Sequence, residues 1–99
     1  MLINVTFPPE PFNSAVRDGT AGLKIKRILE ETKPETVYFT EQGGKRAGIL
    51  VVNVANASDV PALAEPWFLN FNAAVEFRIA MTPEDLARSD LGAMGKKWG

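Results

Sequence analysis

Glu76 and Arg78 are the pair of side chains best placed to do chemistry in this 99-residue sequence. They stand two residues apart in an alternating apolar and polar segment, Ala74 to Met81, which predicts a β-strand. Side chains two apart on a strand project from the same face. In a cleft, this pair could orient an anionic or enol-forming ligand, with Glu76 as the proton acceptor. The alternative is an ion pair that is structural or that spans a dimer.

Other polar side chains on predicted strands could share that cleft. Tyr38, the only tyrosine, could donate its hydroxyl to a bound carbonyl oxygen, or serve only as amphipathic packing. Small polar residues on the same face could donate and accept hydrogen bonds, although half-exposed strands also carry them without function. We assign no catalytic residue. The predicted ligand-binding residues are Asn4, Thr6, Tyr38, Thr40, Glu76 and Arg78.

Composition excludes several kinds of site. The chain has no histidine and no cysteine, so serine–histidine triads, histidine zinc sites, disulfides and thiolate nucleophiles are ruled out. With 11 basic and 12 acidic residues it lacks the basic excess of a nucleic-acid-binding protein. The pair Gly43-Gly44 is not followed by a P-loop pattern and is typical of a hairpin turn. We therefore expect no cofactor, no metal and no nucleic-acid partner.

The N-terminal segment is neither a signal peptide nor a membrane span. It has no charged start, and its apolar residues reach Pro8 and Pro9 within a few positions. The longest apolar run, Ile49 to Val52, has the length of a buried strand. No membrane partner is expected, and a cytoplasmic location follows by default.

The first half of the chain predicts a strand, a helix and a hairpin. Ile3 to Phe7 alternates as a half-buried strand does. Helical spacing extends from Asn13 to about Thr32, but Gly19 and Gly22 weaken its start, so the helix is expected to begin near Gly19 after a loop or loose turn over 8–18. Proline after Lys33 ends it. The hairpin strands are Thr36 to Thr40 and Ala47 to Val54.

The second hairpin strand and the following helix carry further expectations. Apolar residues are nearly continuous from Ala47 to Val52, which predicts a central strand covered on both faces. A short helix follows Asp59, and Pro66 is expected to kink or restart it. Trp67 and Phe68 are core or dimer anchors in this interpretation, with the wall of a pocket mouth as the alternative.

The last segment predicts one more helix and a tail. Thr82-Pro83 has the chemistry of an N-cap followed by a first-turn proline. Gly92 and Gly95 soften the end of the helix, so residues 95–99 are expected to form a tail. A large aromatic residue near a terminus lowers solubility unless it docks, so Trp98 is expected to dock on a partner subunit or on the edge of its own sheet.

The order of these elements predicts one α+β domain over residues 1–99. Strand, helix, two strands, helix, strand is the order of the ferredoxin-like β-α-β-β-α-β sandwich, here with an extra C-terminal helix. Both main helices cover one face of a four-stranded antiparallel sheet, which leaves the other face open. That face carries the six predicted ligand-binding residues, Leu2, and either Ile49 and Val51 or Leu50 and Val52. Asn53 joins them only in the first case.

An open face that is partly apolar favours a homodimer, because two such sheets can close about a twofold axis and enclose a cleft. The whole chain resembles the dimeric α+β-barrel superfamily, which includes muconolactone isomerases and antibiotic-biosynthesis monooxygenases. Within it, Ala64 to Trp67 leading into Val75 to Pro83 is similar to the end of an uncharacterised bacterial family of about this length. The resemblance implies a ferredoxin-like fold and pairing through the open face.

Three functions remain open at this point. The first is a small dimer that binds an amphipathic or aromatic molecule in its cleft or simply assembles with itself. The second is a cofactor-independent isomerase or monooxygenase acting in the same cleft, with Glu76, Arg78 and Tyr38 as its polar groups. The third is an interaction module whose sheet or C-terminal tail docks on another protein. The absence of histidine favours the first function over the second.

Overall fold

A computed structural model describes residues 1–99 as an antiparallel sheet with five helices. One 3₁₀ turn, Ala57–Asp59, precedes the third helix. The strands are β1 Leu2–Thr6, β2 Thr36–Gln42, β3 Lys45–Val51 and β4 Ala74–Arg78. The helices are α1 Pro9–Arg17, α2 Ala21–Thr32, α3 Val60–Phe71, α4 Pro83–Arg88 and α5 Leu91–Trp98. No helix is both long enough and apolar enough to cross a membrane.

The sheet has the strand order β2-β3-β1-β4, with every neighbouring pair antiparallel. This α+β arrangement is compatible with a ferredoxin-like fold. The β2–β3 hairpin turns at Gly43 and Gly44, whose φ angles of +60° and +78° are those that glycine adopts without steric cost. The predicted hairpin and the central position of β3 are confirmed.

The hydrophobic core lies between α1, α2 and α3 and one face of the sheet. Ile3 and Val5 of β1 and Leu50 of β3 are each at most 2% exposed on this face. Four aromatic rings fill the end of the core with centroids 4.8 to 6.3 Å apart, and they belong to Phe7, Phe12, Trp67 and Phe71. Trp67, at 1% exposure, is therefore a core residue and does not form a pocket mouth.

The expected loop or loose turn over 8–18 is wrong, because α1 occupies Pro9–Arg17. Proline is tolerated in the first helical turn, where a missing N–H loses no hydrogen bond. The chain breaks instead between the two helices, with Gly19 at φ +80°. Val16 of α1 and Leu23 of α2, on either side of the break, are 52% and 68% exposed.

The expected restart of the helix at Pro66 does not occur, since α3 runs without a break from Val60 to Phe71. Buried residues on both sides of the proline, Ala64 and Trp67, fix the helix against the core. The carbonyl of Pro66 accepts a hydrogen bond from Asn70 Nδ2 at 2.8 Å. Packing along this helix outweighs the single hydrogen bond that proline removes.

The C-terminal residues depart most from expectation. β4 ends at Arg78 because its neighbour β1 begins at Leu2, so Ile79 to Met81 has no strand beside it. Ile79, which belongs to the predicted strand Ala74 to Met81, is 87% exposed. The single predicted helix is two helices, α4 and α5, and the predicted tail is helical to Trp98. Thr82 does cap α4, its Oγ1 accepting the N–H of Asp85.

We call residues 1–78 the body and residues 79–99 the arm. The arm extends away from the body, and every arm residue except Ser89 is exposed. The whole chain has a radius of gyration of 17.1 Å, against about 13 Å for a compact chain of this length, and its longest dimension is 60 Å. Trp98 is 80% exposed, so it does not dock on its own sheet.

Candidate functional site

The sheet face opposite the helices is uncovered, and we call it the open face. Strand pairing arranges its residues in three rows that run from β2 to β4. The middle row is Tyr38, Ile49, Asn4, Glu76; the flanking rows are Thr40, Ala47, Thr6, Ala74 and Thr36, Val51, Leu2, Arg78. All six predicted ligand-binding residues therefore lie on this face. Thr36, Ala47 and Ala74 also belong to it, and of these only Ala47 required the pairing, because alternation with Tyr38 and Glu76 already places Thr36 and Ala74 there.

The six residues form two separate groups. Asn4 and Thr6 lie on β1 beside Glu76 and Arg78 on β4, and Asn4 pairs directly with Glu76. Tyr38 and Thr40 lie on β2 at the opposite edge of the sheet. Neighbouring strands are about 4.8 Å apart, so β2 is two strand spacings, about 10 Å, from β1 and three spacings, about 14 Å, from β4. On one chain, Tyr38 and Thr40 therefore lie far from Glu76 and Arg78 at the opposite edge.

The Glu76–Arg78 pair has the geometry that alternation predicts. Arg78 Nη2 lies 3.5 Å from Glu76 Oε2, and the two side chains are 61% and 63% exposed. An ion pair this exposed is strongly screened by water and contributes little to stability. Both groups consequently keep hydrogen-bonding capacity for a ligand or a second chain.

Three apolar side chains, Leu2, Ile49 and Val51, lie on the two central strands of the open face beside Asn4. Pairing settles the face of β3: Leu50 and Val52 lie in the core, so Ile49 and Val51 face outward. Ile49 is 36% exposed, and Leu2 and Val51 are half-buried beside it. The expectation that β3 is covered on both faces does not hold for one chain, in which helices cover one face only.

Asn53 does not join the open face, although it shares the alternation of Ile49 and Val51. It follows the end of β3, and its Nδ2 donates to Glu35 Oε1 at 2.7 Å. It also lines a groove of about 1020 Å³ between α2 and α3, on the helix side of the sheet. That groove has two exposed leucines, Leu23 and Leu69, and charged residues of both signs along its rim.

A smaller cleft of about 290 Å³ lies beside the hairpin turn. Its cation is held in place by the body, because Arg46 Nη1 donates to Asn13 Oδ1 at 2.7 Å and its guanidinium lies 4.4 Å from the centre of the Phe12 ring. None of the six predicted residues lines this cleft or the α2–α3 groove. In the single chain the open face is a surface rather than a pocket.

The carboxyl groups with perturbed pKa values lie away from the open face. A hydrogen bond from Ser14 Oγ, at 2.6 Å, lowers the pKa of Glu10 in α1. A hydrogen bond from Thr20 Oγ1, also at 2.6 Å, lowers the pKa of Asp18 in the turn before α2. Each carboxylate stabilises a helix start, which is a structural role. No group of three or more acidic residues has metal-binding geometry.

Two comparisons with known proteins find no match for this chain. No protein-family model matches the chain, and no curated protein matches it. What is shown is therefore a topology compatible with a ferredoxin-like fold, with no superfamily assigned.

Proposed function

We propose that two copies of this chain pair through their open faces and bind a small amphipathic or aromatic molecule in the cleft between them. The observation that supports this proposal is the open face itself, with Leu2, Ile49 and Val51 on its two central strands and polar groups along both edges. A partly apolar surface of this kind on a small domain marks a binding surface. Pairing would turn a surface into a site that excludes water.

A twofold axis running along the strands makes the two polar groups into one site. Such an axis places β2 of one copy opposite β4 of the other. Tyr38 of one chain then faces Glu76 and Arg78 of the partner subunit across the cleft. On one chain about 14 Å separates β2 from β4, but across the cleft the side chains of these two strands face each other. Under this symmetry the cleft contains two equivalent sites.

Each side chain then has a defined role toward a ligand. Ile49 and Val51 contact the apolar part of the molecule. The Arg78 guanidinium binds an anionic or carbonyl oxygen, and Glu76 accepts a proton or hydrogen bond from a hydroxyl. Tyr38 supplies a hydroxyl from the opposite wall. The predicted ligand is therefore a planar or amphipathic molecule with one anionic end.

The isomerase or monooxygenase alternative requires more than this geometry provides. A general base must be held at the reacting atom in a fixed orientation. Glu76 and Arg78 are both more than half exposed on the single chain, and each is held only by the other. Binding without chemistry is thus the function that the open face supports best.

Sedimentation equilibrium tests the pairing. Ile49→Glu puts a charge at the centre of the open face and should make the dimer dissociate at least ten times more readily, since burying an unpaired carboxylate is costly. Leu69→Glu is the matched control, because Leu69 is 81% exposed in the α2–α3 groove on the other side of the sheet. A wild-type chain that stays monomeric at near-millimolar concentration contradicts the proposal.

A fluorescent probe tests the ligand site. The anilinonaphthalene sulfonate anion has an aromatic body and one negative end, and its emission rises in apolar sites. Arg78→Ala should weaken its binding by about tenfold to a hundredfold, the value of one charge-assisted hydrogen bond. Arg27→Ala removes a cation from the α2–α3 groove and is the control. Equal loss in both variants, or loss only with Arg27→Ala, would assign the probe to other surfaces.

A further inference from the structure

The arm contains two helices that one chain does not stabilise. α4 has 6 residues and α5 has 8, and neither packs against the body. Isolated helices shorter than about 12 residues are marginal in water, and Gly92 and Gly95 weaken α5 further. Their local caps, at Thr82 and Asp90, satisfy only the first turns. These helices need a surface to pack on.

α5 has one apolar face. Leu91, Met94 and Trp98 are spaced i, i+3 and i+7, so they line one side of the helix, and we call them the arm stripe. They are 57%, 45% and 80% exposed. Lys96 lies off this stripe, whereas the Lys97 ammonium lies 5.2 Å from the centre of the Trp98 ring. The spacing is that of a helix which packs against protein through a single face.

The composition of the arm favours a protein surface over a membrane or a nucleic acid. It carries three acidic residues, Glu84, Asp85 and Asp90, and three basic ones, Arg88, Lys96 and Lys97. Helices that bind anionic membranes have an excess of lysine and arginine on their polar face. An arm of zero net charge has no such attraction.

The exposed apolar surface of the arm matches that of a stable interface. Large apolar side chains between 43% and 87% exposed are spread along its length: Ile79, Met81, Leu86, Leu91, Met94 and Trp98. Together they expose on the order of 800 Å², which is about what each partner buries in a standard-size protein interface. A twofold pair contains two arms, and each arm can cover the other copy.

The arm also begins beside the proposed dimer surface. It continues from Arg78, a residue of the open face at the edge strand β4. Paired sheets lie about 10 Å apart, a small distance beside the 60 Å length of the chain. A second copy on the open face is thus the surface nearest to the start of the arm.

We infer that the arm is exchanged between two copies of this chain, and that its stripe packs on the partner and closes the end of the cleft beside Arg78. This inference rests on the proposed pairing of open faces. It makes the ligand site composite, with walls from two sheets and an end supplied by the arm of the partner subunit. The cleft then closes when two copies assemble and opens to a ligand when they separate.

Trp98 reports directly on this exchange. Subtracting the emission spectrum of Trp98→Phe from that of the full-length wild type isolates Trp98, since Trp67 is buried in both proteins. We expect the isolated Trp98 emission to shift to shorter wavelength as protein concentration rises, in parallel with the dimer fraction from sedimentation. A dimer whose Trp98 emission stays at the wavelength of a solvated indole overturns the exchange and leaves the face pairing intact.

Full-length variants separate the two proposals. Leu91→Ser/Met94→Ser removes two stripe residues and should raise the dimer dissociation constant about tenfold or more. Lys96→Ser, off the stripe, is the control and should change it less than about threefold. If only Ile49→Glu weakens the dimer, the arm inference fails. If only the stripe variant does, open-face pairing fails, and a chain that never dimerises overturns both.

Discussion

The body and the arm have similar apolar side chains but use them differently. In the body, Trp67 and Phe71 are at most 1% exposed in a core built by three helices and the sheet. In the arm, Trp98 and Ile79 are at least 80% exposed. The two regions differ because body elements face one another, whereas the arm continues past the end of the strand that would pair with it. Apolar content alone does not make a core, since an element also needs a neighbour of matching length.

Hydrogen exchange should show the largest difference between the regions. In dilute solution, amides at the centre of β1 open only through global unfolding, so they should exchange about 10⁴-fold slower than unstructured amides or slower still. Amides of α4 and α5 should exchange nearly as fast as in an unfolded peptide. Mass spectrometry of exchanged peptides measures both. Protection in the arm that does not vary with concentration would show that it packs on its own body.

The two tryptophans provide the next comparison. Trp67→Ala should lower the free energy of unfolding by about 3–5 kcal/mol, because it leaves a cavity in the aromatic cluster. Trp98→Ala should change it by less than about 0.5 kcal/mol in dilute solution. Urea unfolding followed by circular dichroism measures both values. Comparable losses would mean that the arm belongs to the folding unit.

Matched helix caps give a smaller contrast. Asp59 Oδ2 accepts the N–H of Asn56 at 3.3 Å in the body, and Asp85 Oδ2 accepts the N–H of Thr82 at 3.1 Å in the arm. Asp59→Ala should lower the free energy of unfolding by about 1 kcal/mol or less. Asp85→Ala should reduce helical circular dichroism without moving the urea midpoint. A midpoint shift in Asp85→Ala would contradict the separation of the two regions.

The smallest expected effect is a change in the stability of the body at acidic pH. Thr20 hydrogen bonds lower the pKa of Asp18 below 3.8, so its stabilisation is present above that pH and is lost as the pH falls through the folded-state value. Asp18→Asn should therefore be less stable than wild type at neutral pH, and the two should converge in acid. Urea unfolding across that range measures the convergence. Glu84→Gln in the arm is the control and should leave body stability unchanged at every pH.

Much of the fold follows from local sequence patterns. Alternation in β1 and β4 correctly placed Asn4, Thr6, Glu76 and Arg78 on one face, because side-chain direction in a strand has a strict period of two. It could not orient β3, where nearly every residue is apolar. Only pairing with Asn4 and Tyr38 places Ile49 on the open face.

The failed expectations share a different cause. Gly19 and Gly22 predict a late helix start and Pro66 predicts an interruption, yet α1 forms before Gly19 and buried neighbours hold α3 at Pro66. Ile79 alternates as a strand residue should, but no neighbouring strand extends that far. The separation of Tyr38 from Glu76 likewise depends on strand order, which no local pattern contains. Local sequence determines the conformation of a segment more directly than it determines the segment's neighbours.

The sheet edges have a consequence for handling the protein at high concentration. β2 is an edge strand, so one side of its backbone has no strand beside it, and Tyr38 and Phe39 are 67% and 52% exposed there. Addition of chains edge to edge has no geometric stop and grows into a ribbon, whereas face-to-face pairing ends at two copies. Conditions or variants that prevent face-to-face pairing should therefore favour edge-to-edge addition of chains and precipitation of the protein. A charged substitution at Phe39 should prevent this edge-to-edge addition.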